Sequence, residues 1–358
     1  MSATPAARYA SVDALRGITV AAMLLVNNPG DWGHVYAPLE HAQWNGCTPT
    51  DLIFPTFLFI VGVSIALALM PRLERGDAPA LLTRTVLTRA ARIVGLGLLL
   101  HLCALWAFDL AHHRVMGVLQ RIGLCFAAAG LLAVVARPRT QWLVFAGLLV
   151  GYGALLAAGG SYDPFVNLAS RVDHALLGVH VYQLDPVSGR GHDPEGLVST
   201  LGALATTVLG MRAGDRLRRG DTRALWLAGA VCMVLGLAWS WWQPLNKNLW
   251  TSSYVLWTGG IACWLLAIAH WLVDRKGMPA LGRAFGVNAI AAYAGSAFML
   301  YALVAGGWLE PIYQHGFAGW MTPRFGPYVP SLAFAVTFVA VWWLVVRVLD
   351  ARKIYFKI

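Results

Sequence analysis

The chain of 358 residues is 58% hydrophobic and only 12% charged, where an ordinary soluble domain carries about 25% charged residues. That composition excludes a soluble enzyme. A net charge of +10 would suit a nucleic-acid binder, but here it follows membrane topology, with the excess cations facing anionic headgroups. Membrane lipid is therefore an expected partner and nucleic acid is not.

Apolar runs of the roughly 20 residues needed to cross a hydrocarbon core recur from Ser11 onward. The first half predicts helices at 11–27, 52–70, 90–108, 115–136 and 141–159, and the second half at 196–212, 223–242, 251–273, 285–305 and 330–349. No soluble domain fits between them. The expected fold is all-α: one domain over 1–358, a polytopic membrane helix bundle of about ten transmembrane helices. The first helix is expected to be retained rather than cleaved as a signal, because it carries Asp13 and Arg16 and no small-residue cleavage site follows it.

Short cytoplasmic loops keep Lys and Arg, whereas translocated loops lose them. With ten alternating helices, one side collects Arg8, Arg72, Arg75, Arg84, Arg89, Arg92, Arg137, Arg139, Arg212, Arg216, Arg218, Arg219, Arg223, Arg275, Lys276, Arg283, Arg347, Arg352, Lys353 and Lys357. The other side has Arg114, Arg171, Arg190, Lys247 and Arg324, and Arg16 and Arg121 lie inside helices. Twenty against five places both termini in the cytoplasm. Of the five cysteines, Cys103, Cys125, Cys232 and Cys263 fall within helices as small apolar fillers, and no disulfide framework or metal-ligand spacing is present.

Ionisable groups inside a membrane are costly and are functional candidates by default. In the first helix, Asp13 and Arg16 are three residues apart on one face and can pair, while Ser11 and Asp13 also suit a cap and a first-turn acid. In the fourth, Gln120 and Arg121 interrupt an apolar run, and a guanidinium held there would bind a phosphate, carboxylate or carbonyl.

The first loop runs from Asn27-Asn28-Pro29-Gly30 to His41-Ala42-Gln43-Trp44-Asn45-Gly46-Cys47-Thr48-Pro49-Thr50-Asp51. Asn45-Gly46 is a turn signal, Thr48 can cap, Pro49 suits the first helical position and Asp51 the first turn. Nothing about a helix start requires His41. Further polar clusters are His192-Asp193-Pro194-Glu195, where Asp193 and Pro194 make a good cap, and Asn246-Lys247-Asn248-Leu249-Trp250, which offers amide, ammonium and indole groups to a sugar. An interfacial aromatic belt would also account for Trp250. Asn288 is a buried amide candidate. His101 and His270, alone in apolar helices, and the loop residues His112, His113, His174, His180 and His315 read as structural.

Taken in order, these clusters resemble the heparan-alpha-glucosaminide N-acetyltransferase family and its bacterial relatives. Ser11-Val12-Asp13-Ala14-Leu15-Arg16-Gly17 is similar to the family's opening signature. His41-Ala42-Gln43-Trp44-Asn45-Gly46, followed by Asp51-Leu52-Ile53-Phe54-Pro55, is similar to its central one. Gly117 to Gly123, Asp193 to Gly196, Asn246 to Trp250 and Asn288-Ala289-Ile290 follow in the family's order, so the resemblance covers about residues 8–300.

The resemblance implies a multi-pass enzyme, in a bacterial inner membrane, that takes acetyl from acetyl-CoA and delivers it to a glucosamine-type amino sugar or glycan on the far side. It implies His41 as the active histidine, either general base or acetyl carrier, with Asn27 as its polar partner and Asn28 as the alternative. Asp13, Arg16, Trp44, Asn45, Asp51, Gln120, Arg121, His192, Glu195, Asn246, Lys247, Asn248 and Asn288 are then the residues expected to bind sugar or CoA. The pantetheine arm is expected in a cavity lined by Arg16, Gln120 and Arg121. No metal is expected, and a homodimer through lipid-facing surfaces is compatible with such a bundle. The competing class is an amino-sugar permease, which also uses intramembrane charge. The halves show no repeat, however, and no Gly-rich phosphate loop supports an ATP-driven pump.

Overall fold

The computed structural model describes residues 9–356, so Arg8 and Lys357, both counted in the charge argument, lie outside the described residues. The chain forms α1 (Ala10–Asn27), α2 (Ile53–Glu74), α3 (Pro79–Ala107), α4 (Val118–Val135) and α5 (Pro138–Ala158), then the short α6 (Leu168–Leu177) and a two-residue antiparallel ribbon of β1 (Gln183–Leu184) and β2 (Gly191–His192). There follow α7 (Thr200–Arg218), α8 (Thr222–Trp239), α9 (Ser252–Ala269, extended by a π turn to Arg275), α10 (Arg283–Val287), α11 (Ala289–Ala305), α12 (Leu309–Tyr313), α13 (Gly319–Phe325) and α14 (Tyr328–Ala351). The architecture is an all-α polytopic bundle, with a helix at each of the ten expected places.

Among the described residues, eight helices are long and apolar enough to cross a membrane, and α11 with the α12–α13 segment adds a ninth span bent by 100°. The tenth expected span, α7, does not qualify by composition. It carries Arg212, Asp215, Arg216 and Arg218, and can do so because the neighbouring helices cover most of it: Gly202, Ala203 and Ala205 through Asp215 are buried. Arg212 is answered by Gln141 at 2.9 Å and Asp215 at 3.1 Å. Helix α3 begins eleven residues before its expected start, so Arg84 and Arg89 belong to a helix rather than a loop.

Small residues set how closely the central helices approach. A Cβ on Gly62 of α2 would meet the Thr207 carbonyl oxygen at 1.9 Å, and one on Gly210 of α7 would meet that of Phe59 at 2.0 Å. Backbone-to-backbone contact of this kind supplies dispersion where lipid removes the hydrophobic drive between helices. Gly229 and Gly260 pair α8 with α9 in the same way.

Ties between helix ends gather on two opposite faces. At the N-terminal face, Arg218 forks onto Glu74 at 2.6 Å, Arg283 meets Asp350 at 2.6 Å, and Ser11 bonds Asp274. Ser11 was expected to cap α1, but the helix starts at Ala10 with Tyr9 at the cap position, and the hydroxyl serves a different helix instead. At the other face the long connections 28–49, 159–199 and 240–251 meet.

Replacing Gly210 by Leu is expected to destabilise the bundle by roughly 2–3 kcal/mol through overpacking. Gly147→Leu, where a Cβ meets nothing within 4 Å, is expected to leave it unchanged. Thermal unfolding in detergent of the two variants checks this.

Candidate active site

Asp51 organises the first long connection. It sits in a 3-10 turn at the head of α2 with its side chain 1% exposed. One oxygen meets His41 Nδ1 at 2.6 Å, and the other accepts the amides of Ala42 and Thr48, each at 3.0 Å, and the Thr48 hydroxyl at 3.1 Å. The capping expectation and the site expectation therefore fall on the same carboxylate. An ionised carboxylate only accepts, so His41 donates from Nδ1 and its lone pair lies on Nε2. The imidazole is half-exposed at 46% and open to the face.

The connection before α9 closes over this loop. The Asn246 amide donates to the Trp44 carbonyl and Asn45 Oδ1, both at 3.0 Å, and its own oxygen accepts the Leu249 amide at 2.8 Å. Gly46, at φ +124°, donates to the Leu245 carbonyl at 2.7 Å, as the Asn-Gly turn signal anticipates. Asn246 is fully buried and acts as a tie between loops. Lys247, beside it, brings Nζ to 3.1 Å from His41 Nε2 and 3.4 Å from Nδ1. Burial pulls the Lys247 ammonium down from its usual range, against the opposing pull of Glu195 and Asp51.

A second cluster lies behind the first. Arg114 pairs with Asp193 at 2.6 and 3.0 Å and with Glu195 at 2.6 Å. Burial alone would raise the Glu195 carboxyl, but Arg114, Arg121 and Lys247 overcome it and hold the carboxyl well below its usual range. Asp193 and Pro194 were expected to open a helix at 196. Instead α7 starts at Thr200, and Asp193 spends its charge on Arg114. His192 shares a 2.8 Å hydrogen bond with Ser170, leaves Nε2 without a partner, and is pushed by burial down to about 4, which keeps it neutral. The Trp44 and His192 rings meet edge to face with centroids 5.1 Å apart, linking the two clusters. Asp173, raised by burial to about 6, holds the Leu197 amide at 2.8 Å with one oxygen and leaves the other unpartnered against Gly196.

Arg121 is fully buried, stacked 5.1 Å over the Trp250 ring, and bonded to Ser199 and the Gly196 carbonyl through one nitrogen while Nε and Nη1 have no partner. Trp250 is not a belt residue at the lipid interface: it is wholly buried, at φ +51°, and donates to Thr206 at 3.0 Å. Gln120 turns toward His101 rather than a cavity. The structure thus gives His101 and His270 partners of their own, His101 at the Arg114 carbonyl and His270 on Asp274 at 2.8 Å.

Arg16 belongs elsewhere. With Asp13 at 3.0 Å and Ser64 at 2.8 Å it lines a cavity of about 300 Å³ between α1, α2, α3, α4 and α11, joined by Arg89 and Tyr293. Helix α4 presents Leu119 and Ile122 to that cavity, so the expected lining by Gln120 and Arg121 is corrected: helical spacing turns those two to the other side. Asn288, buried between α10 and α11, has neither amide atom partnered. Asn28 donates to the Leu24 carbonyl at 2.7 Å, whereas Asn27 is exposed at the last turn of α1. Asn248 is half-buried beside Lys247.

The site therefore joins His41, Asp51, Trp44, Asn45, Asn246 and Lys247, with His192 and Glu195 directly behind. Sequence reasoning missed Arg114, Ser170 and Asp173. The available signal, for Arg114 alone, was an Arg just before the apolar fourth helix on the cation-poor side, which needs a carboxylate to justify its burial.

Fold and site together define a multi-pass membrane protein with a histidine–carboxylate pair at one face of its helix bundle. Residues 8–181 match the family described as heparan-alpha-glucosaminide N-acetyltransferase, catalytic. The heparan-alpha-glucosaminide N-acetyltransferase of Homo sapiens is 28% identical over 100% of this chain and 61% of its own length, and that of Mus musculus is 28% identical over 98% and 60%. The resemblance carried by the motifs thus extends along the whole chain, which spans about three-fifths of the length of these relatives.

Arg114→Met leaves Asp193 and Glu195 buried without their cation and is expected to cost about 3–5 kcal/mol at neutral pH. The Glu195 pKa is depressed in the fold, so its stabilisation is present above the ordinary carboxylate range and is lost as pH falls through its lowered value. In the variant, protonation relieves the unpaired carboxylates, so its deficit against wild type should shrink as pH falls from 7 toward about 4. Parallel thermal melts across that range measure it.

Proposed function

We propose that the protein is an acyl-CoA-dependent N-acetyltransferase that moves acetyl from acetyl-CoA to the amino group of a glucosamine-type sugar or glycan, with His41 at the centre. The observation that carries this reading is the 2.6 Å contact between His41 Nδ1 and the buried Asp51. It fixes the tautomer and leaves the lone pair on Nε2, beside Lys247. His41 then removes a proton from the attacking amine, whose nitrogen bonds the thioester carbon as the carbon–sulfur bond breaks and CoA leaves as the thiol. In the variant order, Nε2 takes the acetyl first and the amine attacks the acetyl-imidazole.

Asn27 is the amide left for the developing oxyanion, because Asn28 is committed to the end of its own helix. Trp44, Asn45, Lys247 and Asn248 suit a sugar, and His192 and Glu195 brace the loops beneath. For the donor, Arg16 and Arg89 in the inner cavity suit phosphates, while Arg121 and Asn288, which do not line that cavity, stand outside the proposed donor site. Asp13 orients Arg16. The charge bias favours a cytoplasmic position for the N-terminal face, so the His41 face is extracytoplasmic and the acetyl group crosses a core about 30 Å thick.

Purified protein given labelled acetyl-CoA and glucosamine should form N-acetylglucosamine, and His41→Ala should lower kcat/KM by about 10²–10⁴-fold. Asp51→Asn should lose a comparable factor without unfolding. Its amide must turn its donor toward either His41 or the Ala42 and Thr48 donors, and the first choice forces the hydrogen onto Nε2. Wild type that transfers nothing, yet accumulates sugar in proteoliposomes, would put the permease in its place.

A further inference from the structure

The acceptor expected at this site is a primary amine on a tetrahedral carbon, and the chain already holds one there. Lys247 Nζ lies 3.1 Å from Nε2 and 3.4 Å from Nδ1 of His41. Such nearly equal distances set it over the ring rather than in line with the Nε2 lone pair, so an amine waits beside the position an acetyl group on Nε2 would take. The backbone around Lys247 is fixed: its carbonyl accepts the Trp250 amide at 3.1 Å, and Asn246 is tied to the His41 loop. Burial favours the neutral, nucleophilic form of this amine.

We propose that Lys247 is a self-acetylation site, taking the acetyl group when donor is bound and no sugar amine is present. This rests on the transferase reading above. The ammonium first loses a proton to solvent. The neutral Nζ then bonds the acetyl carbon, His41 takes the second proton from that nitrogen, the carbon–sulfur bond breaks, and the thiolate leaves and takes this proton from the imidazolium. If acetyl resides on His41, the neutral Nζ bonds its carbon, the carbon–Nε2 bond breaks, and the freed Nε2 takes the second proton.

The product differs in kind from an acetyl-imidazole. It is an amide that does not hydrolyse on the timescale of turnover, and it exchanges a cation beside Glu195 and Asp51 for a neutral, bulkier group over His41. Donor in excess over acceptor would therefore silence the protein. The chain offers its own controls, because its other lysines are Lys276, Lys353 and Lys357. Of these, Lys276 and Lys353 follow α9 and α14 at the opposite face.

The test is peptide mass mapping of full-length protein in detergent, incubated with deuterated acetyl-CoA with and without glucosamine. Acetyl should accumulate on Lys247 and not on the other three lysines. Glucosamine should suppress it, transfer activity should fall in step with it, and His41→Ala should reduce it by about 100-fold or more. Lys247→Arg should remove the stable label, and if that variant does not fold, the wild-type map decides. An unmodified Lys247 in a sample that acetylates glucosamine overturns the inference and leaves the transferase reading standing. Labelling equal to that of the other lysines, or undiminished in His41→Ala, is chemical acetylation and also overturns it. A sample that neither acetylates any amino sugar nor labels Lys247 removes both.

Discussion

A carboxylate buried at the head of a membrane helix must be fully satisfied, and Asp51 is the group on which the site depends. Hydrogen bonds to a charged group contribute about 1.5–3 kcal/mol each, while an ionised group left buried and unpaired costs several kcal/mol. Asp51 therefore draws in the donors nearest in sequence, the Ala42 and Thr48 amides and the Thr48 hydroxyl, and these fold the connection between α1 and α2 back on itself. The oxygen left over goes to His41. Loop shape and imidazole orientation thus come from one electrostatic requirement, and Tyr254 of α9 closes it from below by donating to the Asp51 carbonyl.

The second cluster follows the same logic at a larger scale. Two carboxylates two residues apart repel one another, and Arg114 draws both into one buried assembly beneath the 159–199 connection. Arg121 adds positive charge without a carboxylate of its own, cushioned by the Trp250 ring. That connection in turn supports Trp44 through the Tyr162 carbonyl at 2.8 Å and the His192 ring. The two clusters are one polar layer whose outer member is His41 and whose inner members hold it rigid.

This polar layer is carried by a scaffold that forbids adjustment. Gly62 and Gly210 bring α2 and α7 into backbone contact, so the head of α2, with Asp51, and the start of α7, with Ser199 above Arg121, keep a fixed separation. Arg16 lines a separate cavity that Phe356, near the C-terminal end of the described residues, also lines. On the proposed transferase reading, a cytoplasmic donor and an outer acceptor would meet without either crossing the bundle whole.

The sequence by itself determined the class and the order of the helices. Long apolar runs with charged ends leave the backbone no other way to satisfy its hydrogen bonds in lipid, and for that reason helices stand at all ten expected positions. It also pointed to His41, which no helix start requires, and to Asp51 as a first-turn acid, but not to the pairing of the two, which folding of the connection supplies. It could not tell that Asn246 ties the loops, that Trp250 is core rather than belt, or that Gln120 and Arg121 turn away from the cavity of Arg16. Those outcomes depend on which face of a helix meets which neighbour, and apolar membrane helices carry little of the polar-against-apolar contrast that marks a buried face in water. Arg114 was illegible for a related reason: its partners lie 79 and 81 residues away, and only the packing of α4, α6 and α7 around one buried layer makes that charge affordable.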